Sequence, residues 1–324
     1  MRINLSKFLQ LRCNVFLYKR LNWKAVFLYI VILGKLYFFF NRKEKYKIED
    51  AVENVFEGIR STSEMKTIKR NVFQGILSHY YEKLFNAFSS AEMLEDFIHR
   101  NIKSEGLSII EEGLGIGKGV LLITAHFGGV EFTPGYLAAK KYPVTTIARF
   151  SSNYLRDISI RKADKFSAKI IDADNTSNIM KAIYDSLKEN RIVITHCDEI
   201  DEWRPSRQQR IFFLGKKISL DKTINILLKR RDVSIVFGII HRDSDQQYKF
   251  IITSWEAMAK QFRPSVNMPI GEVVLKFLER YIYEHPEEWY QWKKYTKIKT
   301  LPSYDTKVEG PVNLSLLKPS LGKV

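Results

Sequence analysis

From residue 119 onward, short continuous apolar runs alternate with stretches in which apolar positions recur every three or four residues. GVLLITA (119–125), PVTTIARF (143–150), AKIIDA (168–173), RIVIT (191–195), IFFLG (211–215), VSIVFGII (233–240) and YKFIIT (248–253) have strand length. Helical spacing fills the gaps: through LAAKK, NYLRDISIRKADKF and NIMKAIYDSLKEN, from Leu220 to Arg231, and in EVVLKFLERYIYEH. Strands that alternate with helices predict crossover units and a mostly parallel sheet flanked by helices. The runs are continuous, as expected for strands covered on both faces. The fold class is α/β.

Before residue 119 the pattern is helical. Residues 47–100 read as helices, with Ser61-Thr62-Ser63-Glu64 as a helix start. LSIIEE (107–112) reads as a short helix ending at Gly113. GLGIGKG (113–119) matches neither phosphate-loop pattern and precedes a strand, so it reads as a turn. At the start of the chain, WKAVFLYIVILGKLYFFF (Trp23 to Phe40) is apolar apart from Lys24, Gly34 and Lys35. It falls just short of the roughly 20 residues a spanning helix needs. The expectation is a membrane-embedded or interfacial helix, with a tilted span and a buried core helix as the alternatives. The predicted organisation is a basic, apolar, membrane-associated segment over 1–45, an α/β domain over 46–300 and a flexible tail over 301–324.

Charge sharpens this picture. The 324 residues carry 52 Lys+Arg and 36 Asp+Glu, a formal charge of +16, and no acidic residue precedes Glu44. A basic cluster around a greasy helix points to an acidic membrane surface, and no nucleic-acid motif is present. Hydrophobic residues at 45% and charged residues at 27% exclude a disordered chain and a multi-pass membrane protein. Two cysteines, Cys13 and Cys197, cannot build a disulfide framework.

In α/β sheets the ligand crevice lies beyond the carboxyl ends of the strands. After GVLLITA comes His126-Phe127-Gly128-Gly129-Val130-Glu131. An imidazole there is suited to accept a proton, and a carboxylate on its other nitrogen fixes the tautomer. Gly128 and Gly129 allow the backbone close to a ligand. A second pair of the same spacing, His196 and Asp201, follows the fourth strand, so spacing alone does not choose between them. The His-Cys-Asp-Glu loop at 196–199 has poor metal-ligand spacing. Arg149 ends a strand at the same sheet edge and is suited to an anion. Glu287-Glu288 reads as a solvated helix start after Pro286.

The stretch EGLSIIEEGLGIGKGVLLITAHFGGVE resembles the core of the bacterial lipid A late acyltransferases, the lauroyl/myristoyl transferase family. The resemblance continues through Arg149 of TTIARF, Asn153, Arg161, Asp198 of VITHCDE, IFFLG with its following helix, and HPEEWYQW. The basic apolar N-terminus and AVENVFEGIRSTSEMKTIKRNVFQG also fit, so roughly residues 15–297 are covered. It implies a glycerolipid-acyltransferase-like fold on the cytoplasmic face of the bacterial inner membrane. It also implies an acyl transfer from acyl carrier protein, or from acyl-CoA, to a hydroxyl of a lipid or glycolipid. The resemblance selects His126 as general base, with Glu131 orienting it. Gly128, Gly129, Arg149, Asn153, Arg161 and Asp198 become substrate-binding positions, Asp198 by pairing with a basic residue or placing the acceptor. A thioester is already activated, so neither metal nor redox cofactor is expected. Three departures touch the acceptor side: Gly129-Val130 stands for the family's Asn-Trp, Asp198-Glu199 for its Asp-Gln, and Lys293-Lys294 for its His-Arg. A non-catalytic membrane protein that binds lipid or carrier protein on the same fold is the competing reading.

Overall fold

The computed structural model describes residues 5–21, 23–150, 152–228, 233–244, 247–262 and 269–298. Six helices come first: α1 (Leu5–Leu9), α2 (Arg12–Arg20), α3 (Trp23–Phe40), α4 (Arg42–Phe56), α5 (Thr62–Phe88) and α6 (Ala91–Asn101). The Ser61 hydroxyl accepts from the Glu64 amide and the Glu64 carboxylate accepts from the Ser61 amide, which starts α5 where the sequence predicts. Then follow β1 (Ile102–Glu105), α7 (Leu107–Gly115), β2 (Val120–Thr124), α8 (Thr133–Ala139), β3 (Val144–Ala148), α9 (Asn153–Lys165), β4 (Lys169–Asp172), α10 (Ile179–Lys188) and β5 (Ile192–His196). The chain continues with β6 (Pro205–Phe213), β7 (Lys216–Asp221), α11 (Lys222–Leu228), β8 (Ser234–Ser244), β9 (Gln247–Ser254), α12 (Trp255–Phe262), α13 (Ile270–Glu284) and α14 (Trp292–Tyr295).

Seven strands form one sheet in the order β1-β9-β8-β2-β5-β3-β4. β8, β2, β5, β3 and β4 run parallel, while β9 pairs antiparallel to β8 and parallel to β1. The mostly parallel α/β sheet is therefore present, with a hairpin on one side. Every residue of β2 is buried, because helices cover both faces of the sheet. β6 and β7 make a separate antiparallel ribbon. The sequence pattern predicts a helix from Leu220, whereas Lys216–Asp221 is strand β7 and helix begins at Lys222. The end of that predicted helix, 229–231, and the tail 301–324 lie outside the described residues.

Among the described residues no single helix is long and apolar enough to cross a membrane. α3 instead packs on α5, where Phe38 meets Phe73, and Val26, Ile30, Tyr37 and Phe38 are all buried. At Gly34 a Cβ would sit 2.1 Å from Leu77 Cδ2, so glycine permits the close helix contact. The opposite side, with Leu28, Ile32, Leu36, Phe39 and Phe40, is exposed. α3 and α4 together have the length and composition of a span, but they are bent by 96° at their junction.

Candidate active site

Strand register builds the centre. β2 and β5 are parallel neighbours in which Thr124 lies opposite His196. The residues two places beyond each strand position, His126 and Asp198, therefore meet although they are far apart in sequence. Asp198 Oδ1 lies 2.8 Å from His126 Nδ1. The His126 amide donates to both carboxylate oxygens at 3.0 Å, and Trp289 Nε1 donates to Oδ2 at 2.8 Å. Asp198 is fully buried. Burial pushes its pKa up, but His126 and the donated hydrogen bonds outweigh burial and hold it below the usual aspartate value. An ionised Asp198 accepts the Nδ1 hydrogen of a neutral imidazole, which leaves the lone pair on Nε2. Nε2 lies 3.3 Å from Glu199 Oε2, and Lys294 Nζ holds the other oxygen of Glu199 at 2.9 Å.

Two aromatic rings enclose the imidazole. His196 stacks on it at 4.5 Å and Tyr290 meets it edge-on at 4.9 Å. Burial lowers the His196 pKa to about 3, with the neighbouring His126 adding to the shift, so His196 is neutral near pH 7. The alternative pair, His196 with Asp201, is not formed: Asp201 bonds Lys297 and Lys294 at 2.9 and 3.1 Å.

Glu131 is not the carboxylate on the imidazole. It lies 3.6 Å from His79 Nε2 and 3.7 Å from Lys83 Nζ, on the side of α5. The glycine turn explains the displacement. Gly128 has φ +55, and a Cβ there would sit 1.9 Å from the Ile240 carbonyl oxygen. The amides of Gly128 and Gly129 donate to the carbonyls of Glu288 and Ile240. These glycines thus seat the turn on β8 and the HPEEW segment, where the sequence pattern assigns them to a ligand. The turn is tied from behind by Arg242, which donates to the Gly128 carbonyl and to both carboxylate oxygens of fully buried Glu82. Tyr248 donates to the same Glu82 at 3.0 Å. Glu288, solvated by its sequence pattern, is buried at 3% exposure, with Oε2 accepting from the Arg242 amide.

A cavity of about 580 Å³ opens beside the imidazole. His126, Glu131, His196 and Tyr290 line one end, and the end of β3 with α9 lines the other. Arg149 lies on this wall, bonded to Asp174 at 2.8 Å and to Glu202, so its charge is already matched. Asn153 and Arg161 are exposed on α9 and stand outside the cavity wall. A second cavity of about 350 Å³ shares Arg149, His196 and Glu199 with the first and is walled by Ile123, Ile179, Ile183 and Leu227. Sequence reasoning names Glu199 only as part of the acidic loop and misses His79 and Tyr290. His79 and Tyr290 arrive from α5 and the C-terminal segment.

Fold and site define a class: an α/β protein with a histidine–carboxylate pair opening on a cavity at the carboxyl ends of its parallel strands. The family model described as bacterial lipid A biosynthesis acyltransferase matches residues 23–295, and the chain belongs to that family. Membership makes acyl transfer in lipid biosynthesis its activity class. No curated protein matches the chain.

Proposed function

We propose that this protein transfers an acyl chain from a thioester, on acyl carrier protein or coenzyme A, to a hydroxyl of a lipid or glycolipid, with His126 as general base. The observation that carries the reading is the 2.8 Å contact between Asp198 and Nδ1, which leaves Nε2 as the basic atom at the cavity. The acceptor O–H gives its hydrogen to Nε2 as its oxygen attacks the thioester carbonyl carbon. The tetrahedral oxyanion then collapses, the C–S bond breaks, and the departing thiolate takes the hydrogen from Nε2. Ester and free thiol result. Asp198 keeps Nδ1 protonated throughout and stabilises the imidazolium as it forms. The acceptor hydroxyl takes the place of Glu199 at Nε2, while Lys294 draws that carboxylate aside. Lys83 and Lys294 also line the cavity, Lys83 facing Glu131 and Lys294 paired with Glu199 and Asp201.

In the same reading the protein works on the cytoplasmic face of the inner membrane. The exposed stripe Leu28, Ile32, Leu36, Phe39 and Phe40 supports it, since apolar residues at helical spacing flanked by Arg20, Lys24, Lys35, Arg42 and Lys43 suit an anionic lipid surface. Mass spectrometry of lipid extracts from cells with and without the protein tests the activity. The expected result is a lipid heavier by one acyl chain, absent when His126→Ala replaces the wild type. Identical lipid profiles for wild type and His126→Ala would overturn the reading.

A further inference from the structure

We infer that the back of the glycine turn holds a divalent transition metal, of the zinc type, between His241, His285 and Glu288. The cluster is separate from the His126 centre. His241 lies on β8, His285 ends α13, and Glu288 belongs to the short turn that follows Pro286. One ligand atom from each residue lies within 4.8 Å of the other two. The imidazoles of His241 and His285 are 4.5 Å apart, centre to centre. Metal–nitrogen and metal–oxygen bonds of about 2.0–2.2 Å in a tetrahedron put ligand atoms roughly 3.3 Å apart. The present spacings bracket that value, from 2.5 Å between His241 Nδ1 and Glu288 Oε1 up to the 4.8 Å limit.

Three further observations favour a cation. His241 Nδ1 is shielded from solvent and makes no hydrogen bond, although Glu288 Oε1 lies 2.5 Å away. A metal bonded to both groups satisfies that nitrogen. Glu287 Oε1 lies 3.9 Å from His285 Nδ1, so a second carboxylate stands beside the imidazole, as outer carboxylates commonly do around metal-ligating histidines. Glu288 Oε2 is itself anchored by the Arg242 amide at 2.9 Å, which leaves Oε1 as the ligand. Two imidazoles and one carboxylate form a donor set that suits zinc over magnesium or calcium. Half-exposed His285 leaves one side open to water as the fourth ligand.

Such a metal has a structural role. It staples β8 to the segment whose Glu288 carbonyl, Trp289 indole and Tyr290 amide hold Gly128, Asp198 and His126. Acyl transfer does not pass through it. The test uses the full-length chain in detergent, freed of metal by a chelator. Zinc sulfate is titrated against a chromophoric competitor, with elemental analysis and a thermal melt on the same samples. The expected result is one zinc per chain and a rise in melting temperature. His285→Ala is expected to lose both while melting like the metal-free wild type, and Glu287→Gln to weaken uptake by about 10–100-fold. His126→Ala is expected to bind zinc as the wild type does. No uptake by the wild type overturns the inference, as does uptake that survives His285→Ala or disappears in His126→Ala.

Discussion

Two buried carboxylates flank the loop that follows β2, and they are neutralised in opposite ways. Behind the loop, Glu82 faces Arg242, whose guanidinium keeps its charge at any ordinary pH. In front, Asp198 faces His126, whose charge comes and goes with one proton. Both carboxylates are fully enclosed, and both accept further hydrogen bonds, from Tyr248 and from Trp289. The rear pair fixes a position. The front pair fixes a position and also lets charge change there. Of these two pairs, only the front one has a cation that can lose its charge, and the proposed chemistry is placed there.

The strongest challenge to this division removes the front pair. His126→Ala and Asp198→Asn should each lower turnover by about 10²–10⁴-fold, with the melting temperature moved far less for His126→Ala. Steady-state kinetics with purified acyl donors, alongside a melt, decide it. Turnover within a few-fold of wild type in either variant would remove the basis for calling that pair reactive. The rear pair should show the converse. Arg242→Leu leaves Glu82 without its cation and should cost about 3–5 kcal/mol in urea unfolding. Adding Glu82→Gln should recover part of this loss, because a neutral side chain no longer needs a cation. If the single and double variants were equally unstable, packing by the arginine would be the main contribution.

A pH series separates the pairs more gently. His196 titrates near 3 in the folded protein and near 6.5 when unfolded, so between those values the unfolded chain binds the extra proton. Stability should therefore fall as pH drops from about 6.5 toward 3, by at most about 1.4 kcal/mol per unit from this one histidine. Buried His79, also held well below its usual pKa by burial and then by Lys83, acts in the same direction. Asp198, depressed below the usual aspartate value, adds its loss only at lower pH still. His196→Gln should flatten the slope of melting temperature against pH, and an unchanged slope would assign it to other groups. The smallest effect is expected at Glu131. Within 3.7 Å of both His79 and Lys83 and facing the cavity, it should change KM more than kcat when replaced by Gln. A fall in kcat as deep as that of Asp198→Asn would restore Glu131 as the partner of the base.

The same contrast bears on what a single sequence can convey. β2, β5 and β8 are legible because strands covered on both faces are apolar nearly throughout, and β3, β4 and β9 because each carries a short apolar run. β1, with the sequence IKSE, is not, because three of its four residues are exposed at the sheet edge. β7 merges with a predicted helix because KKISLD lacks a two-residue alternation strong enough to separate it from the apolar positions of α11. His126 is legible from its place after a strand. Its partner is not: Glu131 is the carboxylate that the spacing offers, and only the β2–β5 register brings in Asp198. Glu82 and Glu288 are hidden for the same reason, since a lone acidic residue within an amphipathic stretch looks solvated until its distant arginine or amide is placed beside it.

The register has a consequence for how such a protein can diversify. The reactive geometry depends on counting two residues past Thr124 on one strand and two past His196 on its neighbour. Nothing in that count refers to the length or content of the chain between them, which runs through α8, β3, α9, β4 and α10 and returns to β5. β3 and β4 lie at the outer side of the sheet, and the end of β3 with α9 forms the far wall of the larger cavity. Insertions or exchanges within 150–190 should therefore change the shape of the cavity while leaving the His126–Asp198 pair in register. A single residue gained between Thr124 and His126, or between His196 and Asp198, shifts one partner out of step with the other. The chain thus separates a region free to drift from four residues of spacing that cannot.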